Sequence, residues 1–145
     1  LPPAPPRSSS AQEEGAFLAG QCILVAEDND TNRKVVSHFL EQAHCQVIEA
    51  MNGVEAVDKL NDRVAAVLMD VHMPILDGIA ATRLLLKLRP SLPVVYLTAD
   101  ITEETRVRCN ESGAVNILLK PISKGSLMAA LSSALRGATP PPPPS

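Results

Sequence analysis

At 145 residues, with 46% hydrophobic and 20% charged residues, the chain has the composition of one globular domain. Its formal net charge of −3 supplies no basic field to hold nucleic acid or an anionic bilayer. No apolar stretch approaches the roughly 18 residues of a membrane span, and no charged-then-apolar leader is present, so the expectation is a cytoplasmic domain without direct nucleic-acid or membrane contact. Aromatic residues are confined to Phe17, Phe39 and Tyr96, which leaves Leu, Val, Ile and Ala to build the core. Cys22, Cys45 and Cys109 are odd in number and widely spaced, which suits buried reduced thiols rather than disulfides or zinc.

Leu1 to Ser10 and Thr139 to Ser145 carry nine of the thirteen prolines and cannot build a core. Residues 1–20 and 137–145 therefore read as linkers on either side of a domain at 21–136, and the absence of an initiator Met suits a domain cut from a longer protein. Within it, Cys22 to Ala26 is a short apolar strand that ends in Glu27 and Asp28. Asp30 to Ala43 carries Val35, Val36, Phe39, Leu40 and Ala43 at helical spacing, with Asp30 or Thr31 to cap its start. Gln46 to Ala50 is a more polar strand, placed near a sheet edge, and Asn52-Gly53 turns it into a helix through Val54, Val57 and Leu60.

Val64 to Met69 is an unbroken apolar run, too short for a typical helix, and reads as a strand buried on both faces. Asp70 ends it. An ionised carboxylate does not belong in a strand core unless paired, metal-bound or at the water-facing edge, and in open α/β sheets the carboxyl edge is where ligands bind. Turn chemistry at Met73-Pro74 and Asp77-Gly78 leads to a helix from Ile79 to about Leu88, stopped by Arg89-Pro90. Leu92 to Leu97 is a fourth strand ending in Thr98. Thr102 to Glu111 is a helix poor in apolar residues, with Gly113 as its C-cap. Asn116 to Leu119 is a fifth strand ending in Lys120-Pro121, and Ser123 to Leu135 is a helix with Leu127, Met128, Leu131 and Leu135 on one face.

Five strands alternating with helices imply parallel pairing through right-handed crossovers, hence a three-layer α/β/α sandwich. Parallel strands put Glu27, Asp28, Asp70, Thr98 and Lys120 on one edge. Three carboxylates repel one another unless a cation joins them, and an all-oxygen site is what Mg²⁺ prefers. An aspartate there can act as a nucleophile toward phosphorus, with the ion, the Lys120 ammonium and the Thr98 hydroxyl neutralising the phosphoryl oxygens.

The segments ILVAEDNDTN, VLMDVHMPILDG, VVYLTAD and ILLKPIS together resemble a receiver (response regulator) domain of two-component phosphorelay signalling over Gln21 to Arg136. The resemblance implies a flavodoxin-like sheet in the order 2-1-3-4-5, an order known from a chemotaxis receiver protein. It implies that Asp70 is the phosphoacceptor, Asp28 a direct Mg²⁺ ligand, Glu27 its acidic neighbour and His72 a ligand through its backbone carbonyl. Thr98 is then the switch hydroxyl and Lys120 the phosphate partner, with a cis Lys120-Pro121 bond. Side chains at the His72 and Asp100 positions influence phosphate lifetime in the family. The partner implied is a histidine kinase domain or a histidine-containing phosphotransfer protein, with a homodimer as a further option. The form of Glu27, Asp28, Asn29 and Asn32 is similar to receivers of hybrid sensor histidine kinases. Such a domain catalyses its own phosphorylation and dephosphorylation and is not a conventional multi-turnover enzyme.

One position departs from the family. An aromatic residue is usual three positions before the lysine, and Ile117 stands there. Other readings fare less well. Asp28, Asp30 and Asn32 imitate the start of a calcium loop, but Arg33 replaces its glycine and Phe39 its final glutamate. A Mg²⁺-dependent phosphohydrolase with Asp70 as nucleophile is the alternative; it expects a second aspartate where His72 stands. A degenerate receiver used only for binding is a third reading, opposed by the intact acidic, Thr and Lys positions. His38 and His44 read as surface residues.

Overall fold

The strand Val64–Asp70 lies at the centre of a five-stranded parallel sheet in the order β2-β1-β3-β4-β5. The computed structural model describes residues 18–99 and 102–136. In chain order the elements are β1 (Cys22–Ala26), α1 (Asp30–Gln42), β2 (Gln46–Ala50), α2 (Gly53–Lys59), β3 (Val64–Asp70), α3 (Gly78–Leu88), β4 (Val94–Thr98), α4 (Glu103–Ser112), β5 (Asn116–Leu119) and α5 (Lys124–Arg136).

The period of two along each strand divides the core between the sheet's faces. Leu24, Val67, Met69 and Tyr96 point to the side covered by α2, α3 and α4. Ile23, Val25, Leu68 and Leu97 point to the side covered by α1 and α5, where Leu40, Leu127 and Leu131 meet them. Strands β1 and β4 are buried at every position, which is why they read as continuous apolar runs. Truncating such a side chain, as in Leu68→Ala, removes about 2–5 kcal/mol of stability. The polar strand β2 is at one edge and half exposed, as its composition implied.

Element ends follow local chemistry. The α1 cap is Asn29, whose side chain accepts from the Asn32 amide at 2.9 Å; this corrects the expectation of Asp30 or Thr31, which lie inside the first turn. Asn52, Asp77 and Thr102 cap α2, α3 and α4 in the same way. Gly113 closes α4 at φ +96°, where a side chain would be strained. β4 begins at Val94 rather than Leu92 because Pro93 has no amide to give the ladder. Leu18, within the segment read as linker, is fully buried against the α1 side of the core, and its carbonyl accepts from the Cys45 thiol at 3.4 Å. Residues 1–17 and 137–145 lie outside the described residues. All three cysteines are free and buried, and His38 and His44 are exposed.

Candidate functional site

Backbone hydrogen bonds continue the sheet past its strands and bring the strand ends into line. The Glu27 amide donates to the Ala50 carbonyl at 3.0 Å, the Val71 amide to Leu97 at 3.1 Å, and the Lys120 amide to Thr98 at 2.8 Å. Because the strands are parallel, the residues that follow them emerge on one edge.

Glu27 and Asp70 are buried there, at 0% and 4% exposure, with Thr98 at 1%, while Asp28 faces solvent. One carboxylate oxygen from each of Glu27, Asp28 and Asp70 lies within 4.8 Å of the other two. The Lys120 ammonium reaches into the group, 2.7 Å from Glu27 Oε1 and 3.4 Å from Asp70 Oδ2. Main-chain donors complete it: the Asn29 amide donates to Glu27 Oε2 at 3.1 Å, and the His72 amide to Asp70 Oδ1 at 3.3 Å. The Lys120–Pro121 bond is cis.

Burial is the main reason that the Asp70 carboxyl is pushed up to about 7, and its hydrogen bond with Glu27 and the Glu27 charge add to it; Lys120 and the His72 amide oppose the shift. Burial alone would raise Glu27 as well, but its hydrogen bonds with Asp70, Lys120 and the Asn29 amide hold it below the ordinary value. Without a cation, and below about pH 7, Asp70 is therefore the carboxyl that holds a proton while Glu27 stays ionised. Burial would lower the Lys120 ammonium, yet Glu27 and Asp70 outweigh it and keep the lysine charged. Three carboxylates and one ammonium leave the fully ionised cluster short of positive charge. An all-oxygen donor set of this span suits one small divalent ion that retains some of its waters.

Sequence reasoning brought Glu27, Asp28, Asp70, Thr98 and Lys120 to one edge, and the fold brings them together. The His72 side chain is exposed, and what the structure places against Asp70 is its amide. Asp100 lies outside the described residues. Ile117 is half-buried and lines a groove of about 450 Å³ between α4 and β5 together with Thr98, Thr105 and Cys109. Tyr96 does not line that groove. Its fully buried phenol shares a 2.6 Å hydrogen bond with Ser112 Oγ, which donates in turn to the Cys109 carbonyl at 2.7 Å.

Three features escaped the sequence reading. Gly78, taken as turn punctuation, is the site of a close approach: a Cβ there would lie 2.0 Å from the Asp70 carbonyl oxygen, and its amide donates to Val71 at 2.9 Å. Ile75 has φ +75°, and the Leu76 amide bonds back to the Pro74 carbonyl at 2.8 Å. That makes a γ-turn of the rare positive-φ kind with a β-branched residue at its centre. Arg33 is a buried cation beside Glu27. Only Gly78 had a signal, in its Asp-Gly pair; a backbone angle at Ile75 and a long-range bond at Arg33 leave none in a single sequence.

The sheet order and the acidic strand-end site define a flavodoxin-like domain built for phosphoryl chemistry. The family model "Response regulator receiver domain" matches residues 23–132, so the chain belongs to the receiver family. Among curated relatives it is 37% identical over 106 residues to the sensor histidine kinase RcsC of Salmonella typhi, covering 72% of this chain and 11% of that protein. It is 28% identical over 136 residues to hybrid signal transduction histidine kinase L of Dictyostelium discoideum, covering 83% of this chain and 8% of that protein. The chain thus spans a small part of these relatives. Among solved structures it superposes on the receiver domain of the sensor histidine kinase PA1611 of Pseudomonas aeruginosa, described with a magnesium ion in its active-site cleft, with a TM-score of 0.76 and 32% identity over 81% of this chain and 99% of that one. The Vibrio cholerae chemotaxis protein CheY4 gives a TM-score of 0.77 at 28% identity, over 81% of this chain and 100% of that one.

Proposed function

We propose that this receiver domain accepts a phosphoryl group on Asp70 from a phosphohistidine, carried by a histidine kinase domain or a histidine-containing phosphotransfer protein, with Mg²⁺ held by Asp28, Asp70 and the His72 carbonyl and with Glu27 beside it. The observation that carries the reading is the grouping of three carboxylates and the Lys120 ammonium around Asp70. A bound Mg²⁺ supplies charge neutralisation for the phosphoryl oxygens. The chain's own residues do the rest. An Asp70 oxygen attacks phosphorus, the new O–P bond forms as the N–P bond to the donor imidazole breaks, and the imidazole leaves with the bonding pair. Asp70 must be ionised to attack, and in the metal-free site burial and Glu27 oppose its ionisation, so a bound cation would favour the attacking form. Lys120 is close enough to follow the incoming charge from the carboxylates to the phosphoryl group.

The phosphoryl group adds about two negative charges. Thr98, on the strand beside Asp70, turns its hydroxyl toward that charge. The surface of α4, β5 and α5 responds, with Ile117 rather than a ring on the groove wall. Water attack on the acyl phosphate resets the switch. The domain includes Leu18, is flanked by the Pro-rich sequence before it and after Arg136, and is part of a hybrid histidine kinase acting in the cytoplasm.

Incubation with acetyl phosphate and Mg²⁺, followed by intact-mass measurement, tests the reading. One phosphate is expected on the wild-type chain and none on Asp70→Asn; an adduct that persists in the variant would sink the assignment. Sustained turnover of exogenous phosphoesters would favour a phosphohydrolase instead.

A further inference from the structure

Arg33 stands in the first turn of α1 and is only 7% exposed, although an arginine is seldom so buried without partners. Its donors reach three segments of the chain. Nη1 donates to the main-chain carbonyl of Glu27 at 2.9 Å, Nε donates to Glu49 Oε1 on β2 at 3.2 Å, and Nη2 pairs with Asp30 in its own helix. The side chains of Asp30 and Glu49 are 72% and 45% exposed, and pairs in such water-exposed places contribute little. The bond to the Glu27 carbonyl is buried and charge-assisted, which is the stronger kind.

That carbonyl belongs to the peptide joining Glu27 to Asp28. The Glu27 amide is held by Ala50, and the Glu27 carboxylate by the Asn29 amide and Lys120. Arg33 fixes the remaining polar group of this residue and with it the plane of the peptide that leads into Asp28. Asp28 itself faces solvent, so the direction of its carboxylate is set by the backbone and not by packing. The two carboxylates on Arg33 also occupy its charge, so the guanidinium holds the backbone without competing with a cation for Asp28.

We propose that Arg33 is a positioning residue of the metal site: by anchoring the Glu27–Asp28 peptide it aims Asp28 at Glu27 and Asp70 and so sets the affinity for the divalent ion. The role rests on the Mg²⁺ reading given above. A lysine keeps the charge but loses the planar fork that serves three acceptors at once, so it rescues only in part.

The test is a Mg²⁺ titration of the full chain followed by backbone amide resonances, on wild type, Arg33→Met, Arg33→Lys and the core variant Leu131→Ala. Arg33→Met is expected to bind Mg²⁺ on the order of tenfold more weakly, as for other residues that orient a metal ligand. Arg33→Lys should fall between it and wild type. Leu131→Ala, which empties a fully buried position on α5, should melt earlier yet keep wild-type Mg²⁺ affinity. If Arg33→Met fails to fold, Arg33→Lys decides alone. Wild-type affinity in the folded Arg33 variants, or an equal loss in Leu131→Ala, overturns the role. A wild-type chain in which Mg²⁺ shifts no amide near Asp28 and Asp70 overturns the metal reading itself, an outcome distinct from failure at Arg33 alone.

Discussion

Replacing Gly78 with alanine puts the steric demand of the site to a quantitative test. An added Cβ would sit 2.0 Å from the Asp70 carbonyl oxygen and 2.9 Å from both the Asp70 carbonyl carbon and Met69 Cγ. The neighbour is strand backbone, so no flexible side chain can swing aside, and α3 must move away from β3 by more than an ångström. Overpacking of this kind costs about 1–3 kcal/mol. The Gly78 amide would also lose its 2.9 Å bond to Val71, a further loss of about 1 kcal/mol. A total near 3 kcal/mol lowers the melting temperature of a domain this size by about 10 °C. Because the shift originates at the Asp70 peptide, phosphorylation should slow as well, by up to about 100-fold for a displacement near 1 Å. Gly125→Ala is the matched control: its Cβ meets nothing within 4 Å, and it lies inside α5, so it should stabilise by about 0.5–1 kcal/mol. Thermal unfolding followed by circular dichroism reads both. A Gly78→Ala protein that melts with the wild type would refute the close approach on which the placement of Asp70 depends.

Three other outcomes follow from the same structure. Asp70 binds its proton more tightly in the folded state, about 7 against an ordinary 3.8, so its contribution to stability is greatest below the ordinary value and is lost as pH rises toward 7. Asp70→Asn in metal-free buffer should therefore gain on wild type between pH 4 and pH 7.5. The gain is smaller than the roughly 4 kcal/mol of the shift alone, since Glu27 moves in the opposite direction; Mg²⁺ should narrow the gap, and a gain independent of pH in urea unfolding would contradict it. Ile75→Gly should stabilise by about 1 kcal/mol, because relief at φ +75° exceeds the extra freedom of glycine in the unfolded chain; equal or lower stability in the same assay would count against the strained turn. Tyr96→Phe should cost about 1 kcal/mol through loss of the buried bond to Ser112 while leaving phosphorylation unchanged, and a large fall in phosphorylation would show that this bond serves the site as well as the core.

The parts of the fold that were legible share a physical origin. A strand buried on both faces is apolar throughout and then stops abruptly where water begins, so CILVA before Glu27 and VAAVLM before Asp70 announce both the strands and the edge. Helices α1 and α5 show their buried faces as a stripe, whereas α4 turns only Thr105, Cys109 and Ser112 inward and shows almost none. What stayed hidden depends on contacts between segments distant in sequence. Arg33 is indistinguishable from a solvated first-turn charge until β2 brings Glu49 beside it, and Gly78 from a turn residue until α3 is laid against Asp70. The capping error at α1 was local: four consecutive residues, Asn29 to Asn32, are all able caps, and the chain path selects Asn29.

The central claim concerns one side chain and can be tested at that side chain. Treating the acetyl phosphate-labelled chain with borohydride converts an aspartyl phosphate to homoserine, which peptide mass spectrometry locates. Homoserine at position 70, dependent on Mg²⁺ and absent from Asp28→Ala, is the result expected. Homoserine at Asp28 with Asp70 unmodified, or none anywhere on a folded Mg²⁺-bound chain, would contradict the account.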